Sequence, residues 1–441
     1  MMIRRPATFL LVAVLGLAAH AAAQTPLTLT EAISRARTRN PDASSAAAAQ
    51  REAAQRITQA RAGYWPRVDV SESWQRGNQP VFVFSSLLAQ RQFTSADFAL
   101  GALNRPDALN NFRSAVTIEQ SLFDGATKAN VAAAGIGHDM ATARRTMVDH
   151  DLAASVTGAF GRVLVAAAAQ QSAGAAAASA LADRELAGNR RDAGLVTDAD
   201  VLQIDVYVSR TREQQIRAAS DERIARVQLN QLMGAPLGEI FILDRSLTAT
   251  AIATTAIESL EAEALKNRPE VTLAALQEQL AGSMQAAARA AFLPQVAAHG
   301  GWELNGGAWN TRASSWAVGA VARINVFSGF ADKARLAEAR EQATRRALER
   351  EKAETAVRLD VHIAVARLDA ARASEAVGRA AVAQARENHR IIRDRYEAGL
   401  TDVASLVRAA DGVVQAETQQ TAAQVAVLTE TAALERTLGR Q

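Results

Sequence analysis

Two kinds of hydrophobic spacing alternate along this chain. In AVRLDVHIAVARLDAA, Val357, Ala364 and Ala371 recur every seven residues with Val361 and Leu368 interleaved, while Arg358, Asp360, Arg367 and Asp369 take other faces. A sustained seven-residue repeat marks helices packed along a seam, and alanine in the seam lets them approach closely. Proline is absent between Pro106 and Pro236 and again after Pro294. Since proline costs roughly 3 kcal/mol inside a helix, these gaps permit very long helices. From Gly125 to Gly194 and from Gly329 to Gly399, roughly 70 residues at about 1.5 Å each give rods of about 100 Å. The same character resumes for about 40 residues after each turn glycine. Two antiparallel helical hairpins are therefore predicted, over 125–234 and 329–439, each turning at an Ala-Gly-Leu sequence, Gly194-Leu195 and Gly399-Leu400. Glycine suits the end of one helix, and Thr197, Thr401 and the nearby aspartates suit the start of the next.

The second spacing has a period of two. In QVAAHGGWELN, Gln295, His299 and Glu303 fall on one side, and Val296, Ala298, Gly300, Trp302 and Leu304 on the other. WAVGAVARINVF alternates likewise, with Trp316, Val318, Ala320, Ala322, Ile324 and Val326 opposite Arg323 and Asn325. Strands are predicted at about 295–305 and 315–327, and less cleanly at about 67–75 and 113–123, where Glu72 and Gln120 interrupt the apolar side. Each has about the length of a tilted membrane-barrel strand. All five tryptophans lie in or beside these segments, and Trp65, Trp74, Trp302 and Trp316 are the candidates for a membrane-interface belt. His299, Glu303, Arg323 and Asn325 would then face a barrel lumen. An ordinary half-buried soluble sheet alternates in the same way, so strand pattern alone leaves both readings open. Four strands do not close a membrane barrel, which needs at least about 8, so a spanning reading requires several chains to share one.

The two patterns occur twice in the same order. Asn40-Pro41-Asp42 answers Arg268-Pro269-Glu270, Tyr64-Trp65-Pro66 answers Phe292-Leu293-Pro294, and the paired prolines keep the same interval. Phe123-Asp124-Gly125 matches Phe327-Ser328-Gly329, and Leu232-Met233-Gly234 matches Thr437-Leu438-Gly439. The chain thus reads as a first repeat over 24–234, a connection over 235–255 and a second repeat over 256–441. The first repeat carries about two dozen extra residues between its strands.

Composition narrows the class. The 441 residues are 49% hydrophobic and 22% charged, with a formal net charge of +3 and no basic cluster that would suit nucleic acid. Residues 1–23 place Arg4 and Arg5 before a short apolar run ending in Ala21-Ala22-Ala23, as a secretory signal peptide does. A membrane anchor competes with that reading, but the run is shorter than the roughly 20 residues a spanning helix needs. With no cysteine, neither a disulfide nor a lipidated thiol is available. No later segment has 18 consecutive apolar residues, so any membrane entry falls to the strands. No two histidines stand at metal-binding helical spacing, and neither a phosphate-binding glycine loop nor an H-E-x-x-H helix occurs. No enzyme, metal or cofactor is expected.

The signal peptide, the duplication, the strand pairs alternating with long hairpins and the paired Gly-Leu turns together resemble the TolC family of outer-membrane channels, from Leu27 to Gly439. That resemblance implies a mainly α chain with a membrane β-barrel, assembled as a homotrimer in which each chain gives four strands to a 12-stranded barrel among outer-membrane lipid. The helices would continue as a tunnel through the periplasm. It implies a passive duct for drugs or other small toxic molecules, working with an inner-membrane pump and a periplasmic adaptor. Gly194, Leu195, Gly399, Leu400 and Thr401 match the turns that meet the adaptor. Asp200 stands where relatives often carry a gate acid; the matching place in the second repeat holds Ser405, and Arg408 stands where an acid can occur in relatives. Asp198 and Asp402 are alternative gate acids, helix capping being the competing role for each. Tyr396 matches a position that can hold the tip closed, with plain packing as its competing role. The extra residues of the first repeat, 79–110, are expected outside the cell, folding over the mouth because Phe82, Phe84, Phe93 and Phe98 are too apolar for a solvated loop. The exit of a protein-secretion system shares this architecture, and a periplasmic coiled-coil adaptor or scaffold is the reading from a different class.

Overall fold

A computed structural model describes residues 26–244 and 256–440; the signal-peptide reading and part of the 235–255 connection lie outside them. The first repeat runs α1 (Leu29–Arg39), α2 (Pro41–Arg61), β1 (Arg67–Gly77), α3 (Pro80–Ala89), α4 (Leu100–Asn104), β2 (Leu109–Phe123), α5 (Gly125–Asp192) and α6 (Asp198–Leu232). The second runs α7 (Ile257–Asn267), α8 (Pro269–Ala290), β3 (Gln295–Ala308), β4 (Thr311–Arg323), α9 (Ala331–Glu397) and α10 (Val403–Thr437). The order helix pair, strand pair, helical hairpin recurs, and only the first repeat has short helices between its strands.

Prolines divide each opening helix pair. Pro41 and Pro269 begin α2 and α8, where a missing N–H costs nothing. Asn40 caps α2 by accepting from the Asp42 N–H at 2.7 Å, and its Nδ2 donates to the Leu232 carbonyl, tying the repeat's start to the end of α6. At the matching place Arg268 is buried and pairs with Glu270 (2.8 Å) and Asp360 (2.7 Å), which joins α8 to α9.

The long helices are α5, with 68 residues, and α9, with 67, each about 100 Å at about 1.5 Å per residue. The predicted seam is real: Val357, Val361, Ala364, Leu368 and Ala371 are all buried along α9. The hairpins also touch each other, and at Gly161 the approach is close: a Cβ there would lie 2.6 Å from Val425 Cγ1 on α10. One described helix, α5, is apolar and long enough to cross a membrane by length and composition. Of its most apolar stretch 44% is buried within the chain, and Val156, Phe160 and Val163 form a core with Leu229 and Met233.

The four strands form one antiparallel sheet in the order β1-β2-β3-β4. Directly opposed residues share a face, so the registers can be read as rows. Val70, Val116, Trp302 and Trp316 make one apolar row across all four strands, with Val68, Ile118, Gly300 and Val318 beside it. The rows between them, such as Ser71, Ala115, Glu303 and Ser315, or Arg67, Glu119, His299 and Gly319, make a largely polar opposite face.

One expectation is corrected here. β4 begins earlier than read and ends at Arg323, so Asn325 does not stand on the sheet; its Nδ2 donates to Asp332 Oδ2 at 2.6 Å. The alternation continues past Arg323, but the partner strand does not: Gln295 opposes Arg323, and Pro294 before it has no N–H to extend the ladder. Trp302 and Trp316, read as interface aromatics, oppose each other midway along the apolar face. Trp65 and Trp74 stand near opposite ends of β1, and Trp74 joins Phe112 and Trp309 in an aromatic cluster at the end bearing the short β3–β4 turn. Alternation fixes the face of a side chain but not its height.

Candidate functional site

The duplicated turns close both hairpins with the same bonds. In the first, Gly194 adopts φ +74°, its N–H donates to the Arg191 carbonyl at 2.8 Å, and the Leu195 N–H donates to the Arg190 carbonyl at 2.8 Å. In the second, Gly399 adopts φ +75°, with matching bonds to Tyr396 (3.0 Å) and Arg395 (2.8 Å). This left-handed ending strains any residue with a Cβ, which explains both glycines. Leu195 and Leu400 follow at 66% and 68% exposure, so neither is consumed by packing. Thr401 stands beside Leu400, half-buried.

The next helices are capped by different residues at equivalent places. Thr197 caps α6: its Oγ1 accepts from the Asp200 N–H, and Asp200 Oδ2 accepts from the Thr197 N–H at 2.9 Å. In the second hairpin Asp402 is itself the cap, its Oδ1 accepting from the Ser405 N–H at 2.8 Å, and Arg408 donates to Ser405 Oγ at 3.0 Å. Hydrogen bonds from Thr197 hold the Asp200 carboxyl below its ordinary value despite the nearby Asp402 charge. Bonds from Ser405 lower Asp402 likewise. Both carboxylates act as caps within one chain. Asp198 opens α6 and makes no cap of its own.

Tyr396 lies deep between the hairpins, 2% exposed, in a cluster with Ala187, Ile204, Tyr207 and Leu406. Burial pushes its phenol upward, and that of Tyr207 up to about 12, so neither titrates near neutrality. The contact that sequence reading missed is Arg190. Its Nη1 donates to the carbonyls of Tyr396 (2.6 Å) and Glu397 (3.0 Å), and its guanidinium lies 5.1 Å from the Tyr396 ring centre. A cation is thereby set on the carbonyl end of α9, where the helix dipole favours it. Farther from the tip, Asp183 is buried at 4% exposure, and burial raises its carboxyl against the pull of Arg393 and His389. Both were missed because their partners are far away in sequence.

On the sheet, His299, Glu303 and Arg323 share the polar face, where Glu303 accepts from Arg113 Nε (2.7 Å) and Ser315 Oγ (3.2 Å). A trough of about 430 Å³ runs along it, lined in part by Asp69, Thr117 and His299. The two interruptions of the apolar face are both bonded: Glu72 accepts from Ser114 and pairs with Arg312 at 3.3 Å, and Gln120 donates to the Tyr64 carbonyl at 3.1 Å. Arg312 is itself stacked 3.7 Å from the Trp309 ring centre. Among the described residues, no group of His, Asp and Glu could hold a metal ion.

Comparison with known proteins bears on the fold and the family. Among curated proteins, the chain is 29% identical to Protein CyaE of Bordetella pertussis over 358 residues, covering 79% of this chain and 71% of that one. Its fold is similar to that of the outer membrane protein VceC from Vibrio cholerae (TM-score 0.77, 18% identity, 93% of this chain and 96% of that one). It is also similar to the open state of the MtrE outer membrane channel of Neisseria gonorrhoeae (TM-score 0.76, 19% identity, 93% and 89%). A family profile described as outer membrane efflux protein matches residues 32–235 and 260–440, one span for each structural repeat, and the chain belongs to that family of outer-membrane channels.

Proposed function

We propose that this chain is the outer-membrane duct of a tripartite export system, a passive homotrimer that carries drugs or other small toxic molecules outward. The observation that carries the reading is the sheet itself: one face is apolar, and neither the outer edge of β1 nor that of β4 has a ladder partner among the described residues. Such a sheet is stable in a bilayer only when its edges are closed. Three copies give 12 strands, within the range that closes a barrel. The apolar face then meets outer-membrane lipid and the polar face lines the lumen.

The helices support the same assembly. Leu359, Ile363, Ala366, Ala370, Ala373, Val377 and Ala380 alternate by four and three along α9 and are exposed in the single chain. This is a second seam, on a different face from the buried one, and a neighbouring copy would cover it. The exposed leucines of the two tips suit docking to a periplasmic adaptor, with an inner-membrane pump supplying the energy. Membership of an outer-membrane family disfavours the soluble scaffold reading. A protein-secretion exit would use the same duct, and cargo separates the two.

The test is a deletion strain assayed for accumulation of small fluorescent toxicants and for secreted polypeptides. Raised dye accumulation with an unchanged secretome supports small-molecule export; the reverse result supports protein secretion. Electron microscopy of detergent-extracted protein without imposed symmetry checks the trimer, and a detergent-free elongated particle would refute the duct.

A further inference from the structure

The extra segment of the first repeat is a small folded unit seated on the sheet. Phe93 stands between Phe84 (4.9 Å) and Phe98 (5.0 Å), edge to face with each, and Asp97 Oδ2 accepts from the Thr94 N–H at 2.7 Å. Aromatic packing and a local cap give this segment a core of its own. The equivalent connection of the second repeat is a two-residue turn, Trp309-Asn310, between β3 and β4.

The unit is held against the polar face. Gln90, at the end of α3, is 5% exposed, and its Nε2 donates to the Asn110 carbonyl (2.8 Å) and to Asn111 Oδ1 (3.0 Å). Asn111 in turn donates to Asn305 Oδ1 on β3 at 3.0 Å. Arg91, one of two non-glycine residues with positive φ (53°) among those described, sends Nη2 to the Ser314 carbonyl on β4 at 3.0 Å. The crossing passes directly over Gly307, where a Cβ would lie 3.4 Å from Gln90 Oε1. The end of α3 is thus strapped from β2 past β3 to β4, on the face that carries Arg113 and Glu303.

We propose that α3 is an exit constriction, seated by Gln90 and Arg91 across the outer end of the lumen, and that it sets an upper size for what passes the mouth. The inference rests on the reading of the polar face as the lumen wall. Three copies would place three such helices in one opening. The buried side of α3 is Val83, Ser86 and Gln90; the exposed side, Val81, Ser85 and Leu88, would face the passing solute. A rim built this way slows bulky hydrated solutes and leaves small ones unhindered.

The chain has no cysteine, so one introduced thiol is a unique probe. Thr117 is exposed at the centre of the polar face, opposite Asp69 and Gly301. In intact cells carrying Thr117→Cys, a small maleimide and a polyethylene-glycol maleimide are added from outside. The small reagent is expected to label at one rate in every version. The bulky reagent is expected to label roughly tenfold faster once residues 80–106 are replaced by a short glycine-serine linker, or once Gln90→Ala and Arg91→Ala unseat the strap. An unchanged bulky-reagent rate in both variants overturns the constriction and leaves the duct intact. Failure of even the small reagent to reach the introduced thiol overturns the lumen assignment and the constriction with it.

Discussion

Arg190 of the first hairpin donates to the main-chain carbonyl of Tyr396 in the second, 2.6 Å away and 206 residues later in sequence. The two tips are therefore tied by a charged donor acting on backbone, a bond that no side-chain substitution at Tyr396 removes. Charged hydrogen bonds of this kind contribute about 1.5–3 kcal/mol, less where solvent reaches them. Arg190→Ala is expected to loosen the tips and raise single-channel conductance in planar bilayers, whereas Tyr396→Phe, which keeps the carbonyl and the ring, leaves conductance close to normal. Arg190→Lys should restore the tie in part, since lysine supplies the charge without the fork.

The two turn glycines should respond alike to alanine. Both substitutions meet the same left-handed strain, about 1 kcal/mol. Nothing lies within 4 Å of a Cβ at Gly194, and at Gly399 it would stand 3.4 Å from Arg190 Nη2, an ordinary contact with the far end of a flexible side chain. Gly194→Ala and Gly399→Ala should each lower the melting temperature by a similar amount and leave conductance close to normal. Thermal denaturation beside conductance checks both.

Leu195 and Leu400 offer a docking test free of folding effects. Each is about two-thirds exposed, so Leu195→Asp with Leu400→Asp should leave the melting temperature within about 2 °C of normal. Retention of a cognate adaptor on an affinity column should be lost. Unimpaired retention would remove these turns from the docking surface.

The buried acid sets a pH dependence opposite to that of the caps. Asp200 and Asp402 have depressed values, so their stabilisation is present above the ordinary carboxylate value and is lost as pH falls through the folded one. Asp183 is raised by burial, so its contribution is fullest at low pH and is lost as pH rises through its folded value. Asp183→Asn should raise the melting temperature at neutral pH and make little difference in acid, as scanning calorimetry across pH will show.

On the apolar face of the sheet, Arg312 and Glu72 should be coupled. Removing one partner leaves a charge on an apolar face, at a cost of about 1–2 kcal/mol for a position above the mid-row. Arg312→Gln and Glu72→Gln should each weaken the heat resistance of the assembled protein in gel electrophoresis, and the double change should recover much of it.

Much of this was legible in the sequence because local spacing dictated it. The seam from Val357 to Ala371 needed only a seven-residue repeat, and the tips needed only glycines that must adopt positive φ. The apolar and polar faces of the sheet followed from alternation. What was not legible depended on partners brought from elsewhere. β4 stops at Arg323 because Pro294 ends its neighbour, which nothing within β4 announces. Trp302 and Trp316 meet at mid-height because of register. The strap at Gln90 and Arg91 hides in a segment whose aromatic content suggested packing but not its seat. Arg190 sits in an arginine pair that reads as an ordinary helix end.

The open edges of β1 and β4 also bear on how the protein reaches its working state. In the proposed ring every copy supplies both edges, so one genetic change at an edge recurs at three seams, and a loss of about 1 kcal/mol per seam totals about 3 kcal/mol for the ring. Closure then depends steeply on how many copies meet in the membrane. Cells carrying a mildly weakened edge should recover function when expression is raised, as a fault in any single pathway residue would not.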